Sequence, residues 1–183
     1  EFLSHLKSRK SEFAEQLNTA AELPEWLIET LKAQQSEAEI LAFGRSVASP
    51  AALDLRVNTL KGKRDKVLEA LSAEGHAASA TPYSPWGIRL SDKIALNKHP
   101  LFLDGTLEVQ DEGSQLLALL LGAKRGDMAV DFCAGAGGKT LAIGAMMANK
   151  GRIYAFDIAE KRLAKLKPRM VRAGLTNIHP ERI

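Results

Sequence analysis

The sequence predicts an α/β protein in three parts. A helical N-terminal region runs over 1–49, a small α+β unit over 50–105, and the first half of a Rossmann-like sheet over 106–183. Three patterns carry that prediction: apolar residues at helical spacing before Ser49-Pro50, alternating strand and helix signals from Ala51 to Gly105, and a strand, glycine turn, helix and strand from Met128 to Asp157.

In the first part, Phe2, Leu6, Phe13 and Leu17 share one side of a 3.6-residue period. Pro24 suits the first turn of a second helix carrying Trp26, Leu27, Ile28 and Leu31, and Ser36-x-x-Glu39 is a capping box that opens a third. These stripes are expected to be core. In the second part, Leu55, Val57 and Thr59 alternate with Arg56 and Asn58 as in a half-buried strand, Val67, Leu68 and Leu71 line one face of a helix closed by Gly75, and Gly87 to Leu90 is a further strand. Arg56 and Asn58 then stand on an exposed face, where they could meet phosphate or a base edge; an ordinary polar strand face is the competing reading. Tyr83 and Trp86 are open in the same way, to base stacking or to capping the small core.

In the third part, Asp111 can cap a helix whose Leu116, Leu117, Leu119, Leu120 and Leu121 imply burial against a sheet. Met128 to Phe132 reads as a buried strand. Gly135, Gly137 and Gly138 allow positive φ and close approach of a ligand, and the first-turn amides of the following helix are unpaired. A second strand ends at Asp157, 22 residues after Gly135, where a carboxylate can accept from ribose hydroxyls. A helix from about Ala159 to Ala173 should break or kink at Pro168, and Asn177-Ile178 enters another strand.

This arrangement suits a nucleoside-containing ligand, and three classes use it. A dinucleotide fingerprint has Thr140 where its third glycine belongs, and a phosphate-binding loop fits at Gly138-Lys139-Thr140 but has Cys133 in place of its first glycine. The third class is S-adenosylmethionine.

Asp131-Phe-Cys-Ala-Gly-Ala-Gly-Gly-Lys-Thr140 resembles the cofactor motif of the RNA cytosine-C5 methyltransferases, the family of bacterial 16S rRNA methyltransferase B and the eukaryotic Sun-type proteins. The family's usual form is C-A-x-P-G-G-K-T, and Ala136 stands here in place of the proline. The resemblance continues upstream in Leu55 to Lys61, Trp86 to Leu90 and Val109 to Gln115, and so covers most of the chain from Pro24 onward. It implies methylation of cytosine carbon 5 in RNA, expected to be rRNA, with S-adenosylmethionine as cofactor and the unit over 50–105 as an RNA-facing, RNA-recognition-like subdomain. It also implies cofactor contacts from Cys133, Ala134, Gly135, Ala136, Gly137, Gly138 and Lys139, ribose contacts from Asp157, and a further contact from Arg162. The family's two catalytic cysteines lie in later motifs, so no catalytic residue is expected in this chain, which should be inactive alone; Cys133 is expected to pack as a small buried side chain or lend its backbone to the ligand. Phosphate-loop nucleotide binding and a noncatalytic RNA-binding module stand as the alternatives.

Composition bounds the rest. The formal charge of +3 decides little by itself, but nine basic residues against three acidic ones from Lys150 onward make the second half the basic one. Such a run is the solvated face of helices, or a surface for RNA phosphates. A single cysteine excludes an internal disulfide and a cysteine-cluster zinc site, and the four histidines have no ligand spacing, so no metal is expected. No apolar run is long enough to span a bilayer and no secretory signal is present, which makes the cytoplasm the expected location. An uncovered sheet edge would favour self-association.

Overall fold

The computed structural model describes residues 17–91 and 94–183, which form two compact units dividing after Ala51. Phe2, Leu6 and Phe13 of the expected first stripe lie outside the described residues. The first unit holds helices α1 (Leu17–Ala21), α2 (Glu25–Lys32) and α3 (Glu37–Ala48) around buried Ala21, Ile28 and Ile40. The capping box forms as the sequence predicts: Ser36 Oγ accepts from the Glu39 amide and the Glu39 carboxylate accepts from the Ser36 amide at 2.8 Å. Pro24 sits at the N-cap, one residue outside the helix. Trp26 is not core; it is 70% exposed. It precedes Ile28 by two positions, about 200° around a helix, so a helix that seats Ile28 turns Trp26 outward.

The second unit carries two sheets. An antiparallel sheet is built from β1 (Leu53–Val57), β2 (Ala78–Ala80), β3 (Gly87–Leu90) and β4 (Leu107–Val109), in the order β2-β3-β1-β4. Helix α4 (Arg64–Ala73) covers it, and Leu55, Val57, Val67, Leu71, Ile88 and Leu107 form its core. A short α5 (Pro100–Leu103) leads into β4. That last strand lies beyond the boundary at residue 105 expected from sequence, and pairs Leu55 with Val109. As β1 is flanked by β3 and β4, its residues from Asp54 to Val57 are all buried, and the half-buried alternation expected of it is not seen.

Helix α6 (Glu112–Leu120) follows, capped by Asp111, which accepts from the Ser114 amide at 2.9 Å. It is tied to the antiparallel sheet by polar groups: Glu112 Oε1 accepts from the Tyr83 and Ser84 amides, and Gln115 Nε2 donates to the Leu55 and Gln110 carbonyls. Only its Gln115 and Ala118 side is sealed. Leu117 and Leu120 are 59% and 80% exposed, contrary to the burial expected of this helix.

The second sheet is parallel, in the order β5 (Met128–Asp131), β6 (Arg152–Asp157), β7 (Ile178–Arg182). Helix α7 (Gly138–Met146) packs against it through Leu141, Ala142 and Ile143, which join Ile153, Ala155, Leu166 and Ile178 in one core. Strand β5 is an edge, and Met128, Val130 and Phe132 point away from that core at 55–70% exposure, so the strand is half open where the sequence suggested burial. The connection from β6 to β7 holds α8 (Glu160–Leu163) and α9 (Leu166–Ala173). The helix breaks near Ala164, four residues before Pro168, because the proline ring excludes a helical carbonyl at that position; Pro168 itself sits in the first turn of α9, where its missing amide costs nothing. Among the described residues no helix is long and apolar enough to cross a membrane.

Candidate functional site

Strand β5 ends at Asp131 on the sheet's edge, and the chain turns through Ala134, whose amide donates to Phe156 O at 2.9 Å. Gly137 adopts the left-handed conformation (φ 85°) as the N-cap of α7 and offers no side chain to cap it. The helix's first amides, with the positive end of its dipole, therefore open toward a cleft of about 400 Å³. Cys133, Ala134, Ala136, Gly138 and Lys139 line one wall; Gln110, Asp111 and Ser114 line another, and Arg162 and Arg169 complete it. Cys133 is exposed on this wall, not packed as a small buried side chain, because the chain leaves the sheet at an open edge.

Asp157 faces the turn from the tip of β6. Its carboxylate accepts from the Ala159 and Gly135 amides, each at 2.7 Å. Those two hydrogen bonds, with a smaller contribution from Arg162, hold its carboxyl below the usual carboxylate range against the opposing effect of burial. Asp157 is 5% exposed and holds the turn at Gly135 in place.

The three glycines do different things. A Cβ on Gly137 would collide with buried Leu166, so packing within the chain requires that glycine, whereas one on Gly135 would meet only the mobile end of exposed Arg162, and there the φ of 55° is what favours glycine. Gly138 alone faces the cleft, the nearest atom to a Cβ there being Gln110 Nε2 at 3.7 Å. Of the three, Gly137 is filled on its open side by Leu166 and so serves packing. Thr140 is fully buried and its hydroxyl donates to Asp131 Oδ2 at 2.6 Å.

The structure withdraws Arg56 and Asn58 from the surface. Each is 2% exposed, since β1 is an interior strand. Arg56 Nε donates to Gln110 Oε1 at 2.6 Å, and burial, helped by Arg169, pushes its guanidinium down to about 10, which leaves it charged at neutral pH. Asn58 Nδ2 donates to the Gly105 and Ala173 carbonyls at 3.1 and 2.9 Å. Neither can reach RNA.

Arg169 is the residue that sequence reading missed, having been grouped with a solvated basic run. It donates from Nη1 to Ala136 O at 2.6 Å and from Nε to Glu108 Oε2 at 3.1 Å, so a strand of the antiparallel sheet is linked to the glycine turn through one guanidinium. Arg172 pairs with the same carboxylate. No local pattern marks such a pairing across 61 positions. A separate group, Glu74, His76 and His99, brings three potential ligand atoms together. His99 Nδ1 accepts from the Leu101 amide at 3.2 Å, so the ring proton sits on Nε2 and is donated to Glu74 at 2.8 Å, which leaves His99 itself no free lone pair to offer a cation.

Residues 23–97 match the family described as Methyltr_RsmF/B-like, ferredoxin-like domain, and residues 118–181 match that of 16S rRNA methyltransferase RsmB/F. The chain is 35% identical over 156 residues to a probable ribosomal RNA small subunit methyltransferase B of Synechocystis sp., a match covering 85% of this chain and 35% of that protein. It is 34% identical over 140 residues to a 28S rRNA (cytosine-C(5))-methyltransferase of Mus musculus, covering 67% and 30%. The crystal structure of PH0851 superimposes with a TM-score of 0.83 at 32% identity, over 90% of this chain and 37% of that one. The chain thus spans about a third of the length of the curated relatives it matches. With both sheets matched in sequence and in fold, the chain belongs to the RsmB/F methyltransferase family.

Proposed function

We propose that this chain forms the methyl-donor side of an RNA cytosine-C5 methyltransferase, taking S-adenosylmethionine into the cleft at the head of α7 and serving a cytoplasmic enzyme that acts on rRNA. The observation that carries the reading is the uncapped start of α7, opening beside Lys139 and Arg162 on a turn that Asp157 locks in place. The donor set fits the group: main-chain amides and two cations for the amino-acid end, and an ionised carboxylate with unused lone pairs for the ribose hydroxyls. When bound, S-adenosylmethionine supplies an electrophilic methyl on its sulfonium. The chain's own part is to orient that group through Cys133 to Lys139, Asp157 and Arg162. Attack by cytosine carbon 5 needs a thiolate added at carbon 6. Cys133 belongs to the donor turn, so the chain by itself is expected to bind cofactor without transferring methyl.

Exposed Lys161, Lys165 and Lys167 offer sequence-independent contacts to RNA phosphates. The open edge of β5 gives two copies of this chain a means of pairing.

The phosphate-loop alternative is disfavoured by Thr140: its hydroxyl is buried and committed to Asp131, whereas that chemistry places it on Mg²⁺. Isothermal titration of the 183-residue chain tests the choice. Saturable binding of S-adenosylhomocysteine without Mg²⁺, and none of ATP with it, is expected; the reverse overturns the reading.

A further inference from the structure

The two ends of the Gln110 amide keep different company. Oε1 accepts from Arg56 Nε, and because a guanidinium is donor-only the amide cannot be reversed without setting donor against donor. The backbone of Gln110 is pinned as well, its amide donating to Asp54 O at 3.1 Å and its carbonyl accepting from Gln115 Nε2 at 2.8 Å. Nε2 has no partner, although the residue is only 7% exposed. It points toward Gly138, the first residue of α7, on the cleft wall. Buried donors are almost always paired, so an orphan fixed in this direction calls for an acceptor supplied by a ligand.

The surroundings say which kind. Lys139 and Arg162 share the cleft with the uncapped helix end, Arg169 being committed to Glu108 and the Ala136 carbonyl, and the lining carboxylates already accept from chain donors, Asp111 from the Ser114 amide and Asp131 from the Thr140 hydroxyl. The acceptor is therefore anionic. Resting on the cofactor reading above, we propose that Gln110 Nε2 donates to the carboxylate at the amino-acid end of S-adenosylmethionine, and that buried Arg56 is a positioning residue that holds this donor in register.

The test compares S-adenosylhomocysteine with 5′-methylthioadenosine, which lacks the amino-acid end, by isothermal titration of the full chain. Gln110→Met keeps the volume and removes the donor; it should weaken S-adenosylhomocysteine about tenfold or more and leave 5′-methylthioadenosine within about twofold. Gln110→Glu, which sets carboxylate against carboxylate, should widen that gap and decides the matter if Gln110→Met does not fold. Arg56→Met keeps much of the side-chain length but removes the donor that fixes the amide, so it should narrow the preference for S-adenosylhomocysteine over 5′-methylthioadenosine, which a merely structural role would leave unchanged. Equal losses for both ligands, or no loss for either, in the Gln110 variants overturn the contact. A wild-type chain that binds neither ligand overturns the cofactor reading and this inference with it, whereas wild-type binding with an unchanged ratio in the variants overturns the Gln110 assignment alone.

Discussion

Replacing Gly137 by alanine separates packing from ligand access at the turn. Gly137 has φ 85°, where an L-residue costs about 1–2 kcal/mol. Its new Cβ would also run into the side chain of Leu166, which is fully buried in the core beneath α7, and overpacking of that kind costs about 1–3 kcal/mol. The sum is about 2–5 kcal/mol, and at roughly 4 °C per kcal/mol for a domain of this size the melting temperature should fall by about 8–20 °C. Gly126→Ala is the control: its φ is 93° but nothing lies within 4 Å of a Cβ there, so only the strain remains. Thermal melts followed by circular dichroism should place Gly137→Ala clearly below Gly126→Ala. Trimming Leu166 to valine in the Gly137→Ala background should recover part of the collision, a coupling of about 1 kcal/mol in a double-mutant cycle. If Gly137→Ala melts with the control yet loses affinity for S-adenosylhomocysteine, the glycine serves ligand approach and the packing argument fails.

Two further outcomes are expected. The Asp157 carboxyl is held low in the folded chain, so the stability it contributes is full above the ordinary carboxylate range and drains away only as pH falls through its depressed folded value; Asp157→Asn should lower the melting temperature at pH 7 and flatten its decline toward pH 3, and an acid limb identical to wild type would refute the clamp. Val130→Lys, placing a charge on the outward side of the bare β5 edge, should shift any concentration-dependent dimer toward monomer in light scattering after size exclusion, and an unchanged dimer would remove that edge from the interface.

Much of the molecule was legible because its signals are local. The Ser36 capping box, the Asp111 cap and the glycine turn are each written within a few residues of the groups they engage, and the structure realises all three. What failed depended on neighbours distant in sequence. Alternation in β1 gives no sign of β4, only three residues long, which pairs with its second edge and helps to bury Arg56 and Asn58. The leucines of α6 and the apolar residues of β5 look equally suited to burial, yet only one side of each meets the core. At the site, the link from Glu108 through Arg169 to Ala136 joins segments far apart in the chain, and an orphaned amide such as Gln110 Nε2 becomes visible only once every other donor has found its acceptor.

Asn58 has a consequence for protein engineering. With one amide group it spans the carbonyl that ends α5's loop and the carbonyl that ends α9, and Lys61 reinforces the join by donating to the Asp104 and Arg172 carbonyls. A chimera that grafts the parallel sheet onto another antiparallel module at residue 105 would strip the last turn of α9 of these donors and take Glu108 away from strands that shelter it. The seam that a swap should respect lies near Ala52, so that both sheets travel as a single cassette.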